Sequence, residues 1–329
     1  MSVIAVTGSE GFIASHLVEA LVRRGHEVRA MVQYNSFSSA GWLDGIDAEV
    51  LAHVEVMMGD IRDRRSVQDL MDDADAVCHL AALIAIPYSY QAPESYLATN
   101  AGGTLNVLEA ARTLGTPRIV HTSTSEVYGT ALTVPITEQH PLQAQSPYSA
   151  SKIAADKLAE SYYLSFDTPV VTLRPFNTYG PRQSARAVIP TTISQIAAGH
   201  REILLGALDP TRDFNYVIDT VEAFIAVLEA DASVLGSTFN AGSGTEISIG
   251  DLVSLIAAVM DVDVDVRLDE ARVRPSGSEV MRLVCDSTEL QRATGWKPQH
   301  TLEDGLARTA TWFCDPLNLA RYHTDRYNV

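Results

Sequence analysis

The sequence predicts an α/β protein built on a doubly wound parallel sheet, with a smaller C-terminal lobe interleaved with it. Two observations carry that prediction. Through the first half, apolar runs of strand length alternate with segments of helical period, the pattern of a parallel sheet covered by helices on both faces. After Pro175 the pattern changes: Asn177-Thr178-Tyr179-Gly180-Pro181-Arg182 is a turn-rich break, and shorter elements follow it. At 329 residues the chain can bury a substantial core, which argues against a small binding module.

Taken in order, strands are expected at 2–7, 27–33, 53–58, 76–80, 117–122 and 169–174. Helices are expected near 11–25, 63–73, 93–115 and 146–167, the last with Ala, Leu and Lys at helical spacing. Phe214-Asn215-Tyr216-Val217 and the helical stretch 219–229 are expected to return to the sheet. The chain then divides into 1–175, rejoined by 213–245, and a lobe made mainly of 176–329. No internal repeat or low-complexity linker is visible.

The formal net charge is −17, which argues against a nucleic-acid or anionic-membrane surface, since both need a basic face. Cys78, Cys285 and Cys314 are far apart and fit neither a disulfide framework nor a zinc site. No basic segment or cleavage signal precedes the first strand, and no apolar stretch is long enough to span a bilayer. A cytoplasmic location is therefore expected. The nine histidines lack metal-ligand spacing and read as surface or structural residues.

Thr7-Gly8-Ser9-Glu10-Gly11-Phe12-Ile13-Ala14 follows the first strand and opens a helix. Gly8 and Gly11 let the backbone turn sharply and approach a pyrophosphate at the helix N-terminus, while Ala14 permits close packing of helix on strand. A glycine turn alone also fits an ordinary strand-to-helix connection. At the first turn of a βαβ pattern it is the signature of a Rossmann dinucleotide site. The second strand ends Met31-Val32-Gln33-Tyr34-Asn35-Ser36, without the usual acid for the ribose 2′-hydroxyl and without a nearby cation for a 2′-phosphate. Gln33 and Asn35 can hydrogen-bond the ribose, which leans toward NAD and leaves NADP open. Asp60, in Gly59-Asp60-Ile61-Arg62-Asp63, either receives the adenine amino group or caps the next helix.

Tyr148-Ser149-Ala150-Ser151-Lys152 puts a phenol and an ammonium at i and i+4 on one helical face. A nearby cation favours phenolate, so such a pair can act as a general base. Upstream, His121-Thr122-Ser123-Thr124-Ser125-Glu126-Val127-Tyr128-Gly129 ends a strand and sets hydroxyls and a carboxylate at the carboxyl edge of the sheet, where open α/β folds bind ligands.

These pieces, with His79-Leu80-Ala81-Ala82, Asn100 and Arg174-Pro175, together resemble the extended short-chain dehydrogenase family of sugar-nucleotide epimerases and dehydratases over nearly the whole chain. The resemblance implies that Tyr148 and Lys152 are the catalytic pair, that Lys152 also holds the nicotinamide ribose, and that Ser123 bonds the sugar hydroxyl being oxidised. It also implies that Phe12, Ile13, Ile61, Leu80, Ala81, Ala82, Asn100 and Pro175 belong to the cofactor site. Thr124-Ser125-Glu126 resembles the 4,6-dehydratases, which carry a carboxylate where C4 epimerases usually carry small or hydroxyl residues. With Ser125 in place of an acid, Glu126 is expected to act first as base and then as acid.

Tyr34-Asn35-Ser36-Phe37, Gly41-Trp42-Leu43, Leu83 to Tyr90 and Arg326-Tyr327-Asn328-Val329 resemble the N-acetylglucosamine-nucleotide 4,6-dehydratases of legionaminic-acid-type pathways. That resemblance implies a UDP- or GDP-linked N-acetylglucosamine, with Ile84 and Tyr88 near the sugar. Its diphosphate needs cations: Arg182, Arg212 and Arg274, joined by Asn177, occupy positions resembling family phosphate contacts. The alternatives are a sugar-nucleotide epimerase, a 5,6-dehydratase, and a non-catalytic dinucleotide-binding protein on the same fold. A homodimer is implied by the resemblance, and the apolar faces near 93–115 and 146–167 permit it.

Overall fold

The computed structural model describes residues 2–324. Six strands follow the alternation expected from the sequence: β1 (Val3–Thr7), β2 (Glu27–Gln33), β3 (Val54–Gly59), β4 (Ala76–His79), β5 (Ile119–Thr122) and β6 (Val170–Pro175). A seventh, Thr238–Ala241, pairs with the outer edge of β6. All seven are parallel, in the spatial order Thr238–Ala241, β6, β5, β4, β1, β2, β3. The order reverses between β1 and β4, and the crevice beyond their carboxyl ends is where such sheets hold ligands.

Side-chain alternation along β1 decides the layers. Ile4 and Val6 pack with Leu17, Val18 and Leu21 of helix α1 (Phe12–Arg23) and with Val221 and Phe224 of the Val217–Glu229 helix. Ala5 faces the opposite layer, where Val67, Leu70, Val107, Leu108 and Ala159 come from the Arg64–Met71, Gly103–Leu114 and Pro147–Phe166 helices. The expected helix over 93–115 is broken: Pro93–Tyr96 is one turn, Leu97–Gly102 is wound as a π-helix, and the α-helix resumes at Gly103.

Beyond Phe176 the backbone forms short strand pairs: Asn177–Tyr179 with Phe214–Tyr216, Thr211–Arg212 with Ile247–Ser248, and Glu202–Leu205 with Asp265–Leu268. Phe214–Tyr216 thus pairs inside this lobe, while the strand that adds to the main sheet is Thr238–Ala241, which has little periodicity of its own. Ile189, Ile193, Leu252, Ile256 and Phe313 of the lobe join the same apolar core as β1 and α1. No helix among the described residues is long and apolar enough to cross a membrane.

Candidate active site

The first wall of the site is the turn after β1. Gly8 has φ +70, and a Cβ there would lie 2.8 Å from the Ala81 Cα, so only glycine lets the β1 and β4 turns close on each other. Thr7 locks them: its Oγ1 accepts from the Leu80 and Ala81 N–H groups, both at 3.0 Å. That hydroxyl then donates to Nδ1 of buried His79 at 2.8 Å, whose Nε2 bonds Thr104 Oγ1 at 3.1 Å. Burial lowers the His79 pKa, so the ring is neutral and this chain fixes its Nε2–H tautomer.

A cleft of about 1200 Å³ opens from this turn across the sheet edge into the lobe. Gly8, Gly11, Phe12, Ile13, Gln33, Asp60 and Ile61 line its near end. Leu80, Ala81, Ala82, Ile84, Tyr88 and Pro175 line its middle, with Ser123, Thr124, Ser125, Glu126, Tyr148 and Lys152 beside them. Asn177, Arg182 and Arg274 reach it from the lobe. Residues expected at one site from eight separate segments are thereby brought together.

Local sequence sets the reacting end. Ser146 caps the Pro147–Phe166 helix in a reciprocal capping box with Ser149, and Pro147 holds the first helical position, so Tyr148 emerges in the first turn. Its ring packs edge-on against Tyr96, centroids 6.2 Å apart. Thr124 accepts from the Glu126 N–H at 3.2 Å, starting a single tight turn that puts Glu126 on the cleft wall.

Electrostatics at the pair differ from the sequence expectation. Burial drives the Tyr148 phenol well above its ordinary pKa, opposed by a hydrogen bond with Thr124, while Glu126, Tyr96 and Asp156 add to the rise. Lys152 is also buried, which lowers its pKa to about 8, with Asp156 pulling it back. Its ammonium donates to the Thr122 carbonyl at 2.6 Å, so burial outweighs the expected help to a phenolate.

Several expected residues have other partners. Ser123 donates to Asp156 at 2.8 Å, and the hydroxyl that bonds Tyr148 is that of Thr124. Asn35 does not line the cleft; its amide bonds the Gln33 and Ser39 carbonyls and the Phe37 and Ser39 N–H groups, closing its own loop. Asn100 is likewise withdrawn, tying both backbone groups of Leu83 to Ser151. Arg212 is buried off the cleft against Glu279 at 3.0 Å. Arg182, with φ +70, pairs with Glu19 at 2.8 Å. Asp60 pairs with Arg62, whose hydrogen bond holds its carboxyl below the usual range, and the helix after it is capped by Asp63 instead. Arg326-Tyr327-Asn328-Val329 lies outside the described residues.

Sequence reasoning missed three features. Under the reacting groups, buried Asp156 accepts from Ser123, from His121 at 3.2 Å and from Arg174 at 2.9 and 3.0 Å. Burial works against its charge, but those hydrogen bonds and the Arg174 charge outweigh it and lower its pKa. Arg186 lines the cleft, exposed, bonded only to Ser184 among the described partners and in no ion pair. Glu10, inside the glycine turn, lines the near end. Only the first had a signal, Arg174 beside Pro175.

The family model for GDP-mannose 4,6-dehydratase matches residues 5–309. The chain belongs to that family. Low-salt glycan biosynthesis protein Agl12 of Haloferax volcanii is 34% identical, covering 94% of this chain and 98% of that protein. A UDP-glucose 4-epimerase of Mycolicibacterium smegmatis is 32% identical over 94% of this chain and 97% of its own. Among solved structures, the dTDP-glucose 4,6-dehydratase DesIV of Streptomyces venezuelae, a double mutant with NAD bound, superposes with a TM-score of 0.86 at 28% identity, covering 95% of this chain and 97% of that one. Family members thus include both dehydratases and epimerases of nucleotide sugars, and the fold is theirs.

Proposed function

We propose that this protein is an NAD-dependent nucleotide-sugar 4,6-dehydratase. The observation that carries the reading is Glu126, a carboxylate on the wall of the cleft that also holds Tyr148, Lys152 and the Thr124 and Ser125 hydroxyls. Of the protein's side chains, oxidation at C4 needs only the phenol and the ammonium, with a bound nicotinamide to take the hydride. Loss of water across C5 and C6 needs a further base.

The cradle fits a dinucleotide: Gly8 and Gly11 leave the helix N-terminus open, and a Cβ at Gly11 would stand 3.1 Å from the Gly8 carbonyl oxygen. Bound there, NAD supplies a reversible hydride acceptor for the sugar, which is why the site should hold it through the turnover. Tyr148 takes the proton of the 4-hydroxyl as phenolate, a form that burial opposes, that the Thr124 hydroxyl favours and that the positive charge of a bound nicotinamide ring would favour further. The resulting ketone acidifies the C5 hydrogen, which Glu126 removes. Water leaves C6 with the proton returned by Glu126, helped by Thr124 and Ser125; the hydride taken from C4 would then return to C6 and a proton to C5, giving the 4-keto-6-deoxy sugar with no net redox change.

The lobe of 176–324 is assigned the nucleotide sugar. Arg186, in no ion pair among the described residues, and Arg274, which stands 3.6 Å from the Glu279 it shares with Arg212 but still reaches the cleft, are its diphosphate cations, with Asn177, whose buried Oδ1 has no partner, beside them. Ile84 and Tyr88, both well exposed on the cleft, are assigned the sugar face, and UDP- or GDP-N-acetylglucosamine is the substrate we favour. Exposed Leu97, Leu105, Leu164 and Phe166 on the 97–114 and 147–166 helices support a homodimer. Three free thiols support a cytoplasmic location.

The test is mass spectrometry and NMR of protein incubated with UDP- and GDP-N-acetylglucosamine, and with dTDP-glucose, without added reductant. Loss of one water with a new C6 methyl and a C4 ketone is expected for one of them. A retained C5–C6 alkene would move the reading to a 5,6-dehydratase. The 32% identity to a 4-epimerase favours a second reading: unchanged mass with inverted C4, insensitive to Glu126→Gln, would establish it.

A further inference from the structure

The second strand ends without the acid that ordinarily receives the adenosine ribose, and Asn35 is committed to its own loop. A carboxylate nevertheless stands at the end of β2. It belongs to Glu10, which enters from the glycine turn: Oε1 accepts from the backbone N–H of Gln33 at 3.1 Å. Its other oxygen, Oε2, is buried and has no hydrogen-bond partner.

The surroundings hold Glu10 in that place. The Trp42 N–H donates to its carbonyl at 3.2 Å. Gly41, at φ +63, presses so closely that a Cβ there would lie 2.7 Å from the Glu10 Cβ. Burial raises the carboxyl above its ordinary pKa, opposed by backbone hydrogen bonds, including that from Gln33. A buried acceptor left unpaired is unfavourable, and a hydroxyl donated to Oε2 removes that penalty.

We infer that Glu10 replaces the missing strand-end acid: its Oε2 accepts from the adenosine ribose 2′-hydroxyl, and its charge excludes a 2′-phosphate, making it the residue that selects NAD over NADP. This rests on the nicotinamide reading proposed above and assigns the discrimination to one side chain. A 2′-phosphate carries two negative charges or nearly so, and would meet a carboxylate already held by Gln33 on a backbone held by Trp42. Arg321, whose guanidinium stacks 4.9 Å from the Trp42 ring at the same mouth, is the cation that would favour the phosphate instead.

The experiment is calorimetric binding of NAD, NADP and NAD carrying 2′-deoxyadenosine to the full-length protein and to Glu10→Gln. The substitution keeps the shape and the bond from Gln33, and a thermal melt checks that it folds. The wild type is expected to prefer NAD over both analogues by about tenfold or more, as for a charge-assisted hydrogen bond. In Glu10→Gln both preferences should shrink by about tenfold, with NADP gaining in absolute affinity. Wild-type protein that binds NADP or the 2′-deoxy analogue as tightly as NAD overturns the inference while leaving the nicotinamide site intact. So does a variant that folds and keeps both preferences. Arg321→Ala is expected to leave the preference unchanged; a collapse of NADP binding there would hand the selection to Arg321. Wild-type protein that binds none of the three ends the nicotinamide reading itself, and this inference with it.

Discussion

Replacing Lys152 by Met tests the electrostatic account of the reacting pair directly. Burial lowers this ammonium from 10.5 in the unfolded chain to about 8 in the folded protein. At about 1.4 kcal/mol per unit, the charged form disfavours folding by about 3 kcal/mol. The unfolded chain binds the proton more tightly, so stability rises with pH: the full contribution is present above 10.5 and is lost as pH falls through about 8. Met has no such term. The stability of the wild type relative to Lys152→Met should therefore increase by about 2 kcal/mol between pH 7 and pH 9.5. Urea unfolding of both proteins at each pH reads this difference, and groups common to both cancel. The Thr122 carbonyl, which loses its donor in the variant, shifts the offset and leaves the slope to Lys152. A difference that stays flat across that range would refute the buried, depressed ammonium. Activity should be abolished in the variant at every pH.

Three further outcomes follow from the same geometry. Thr124→Ala should lower kcat by about tenfold to a hundredfold through loss of the hydroxyl bonded to Tyr148, whereas Ser123→Ala should act mainly on stability, by about 1–3 kcal/mol; steady-state kinetics beside urea unfolding separates them. Asp156→Asn leaves Arg174 buried beside a neutral partner and should cost about 3–5 kcal/mol of folding stability at pH 7. The wild type should lose that same stabilisation only in acid, as pH falls through the depressed Asp156 pKa. Arg186→Ala should raise KM for the nucleotide sugar by about tenfold with kcat nearly unchanged, and a wild-type KM would remove this arginine from the diphosphate site.

Much of the architecture is written into short-range pattern. The six strands from Val3 to Pro175 fall within two residues of the apolar runs that predict them, because the central strands are buried on both faces and so largely apolar, while edge strand β3 is exposed along much of its length. The glycine turn is equally legible: Gly8 has to be glycine for a steric reason that one position expresses. Tyr148 and Lys152 share a helical face by spacing alone, and Ser146-Pro147 announces the start of their helix. The Thr238–Ala241 strand was not legible, since its place beside β6 comes from partners far away in sequence.

What the sequence by itself determined, then, is the parallel sheet, the glycine turn and the pairing of Tyr148 with Lys152 on one helical face, because each is specified by neighbours within a few residues. Only the tertiary structure decided which hydroxyl stands beside Tyr148. Ser123 and Thr124 are adjacent and chemically alike, but successive strand-end side chains point opposite ways, so one meets Asp156 and the other meets the phenol. The same holds for charge. Nothing in Arg182, Arg186 or Arg212 taken singly reveals that Glu19 and Glu279 neutralise two of them and leave Arg186 on the cleft in no ion pair among the described residues, because ion pairing depends on residues brought together from across the chain.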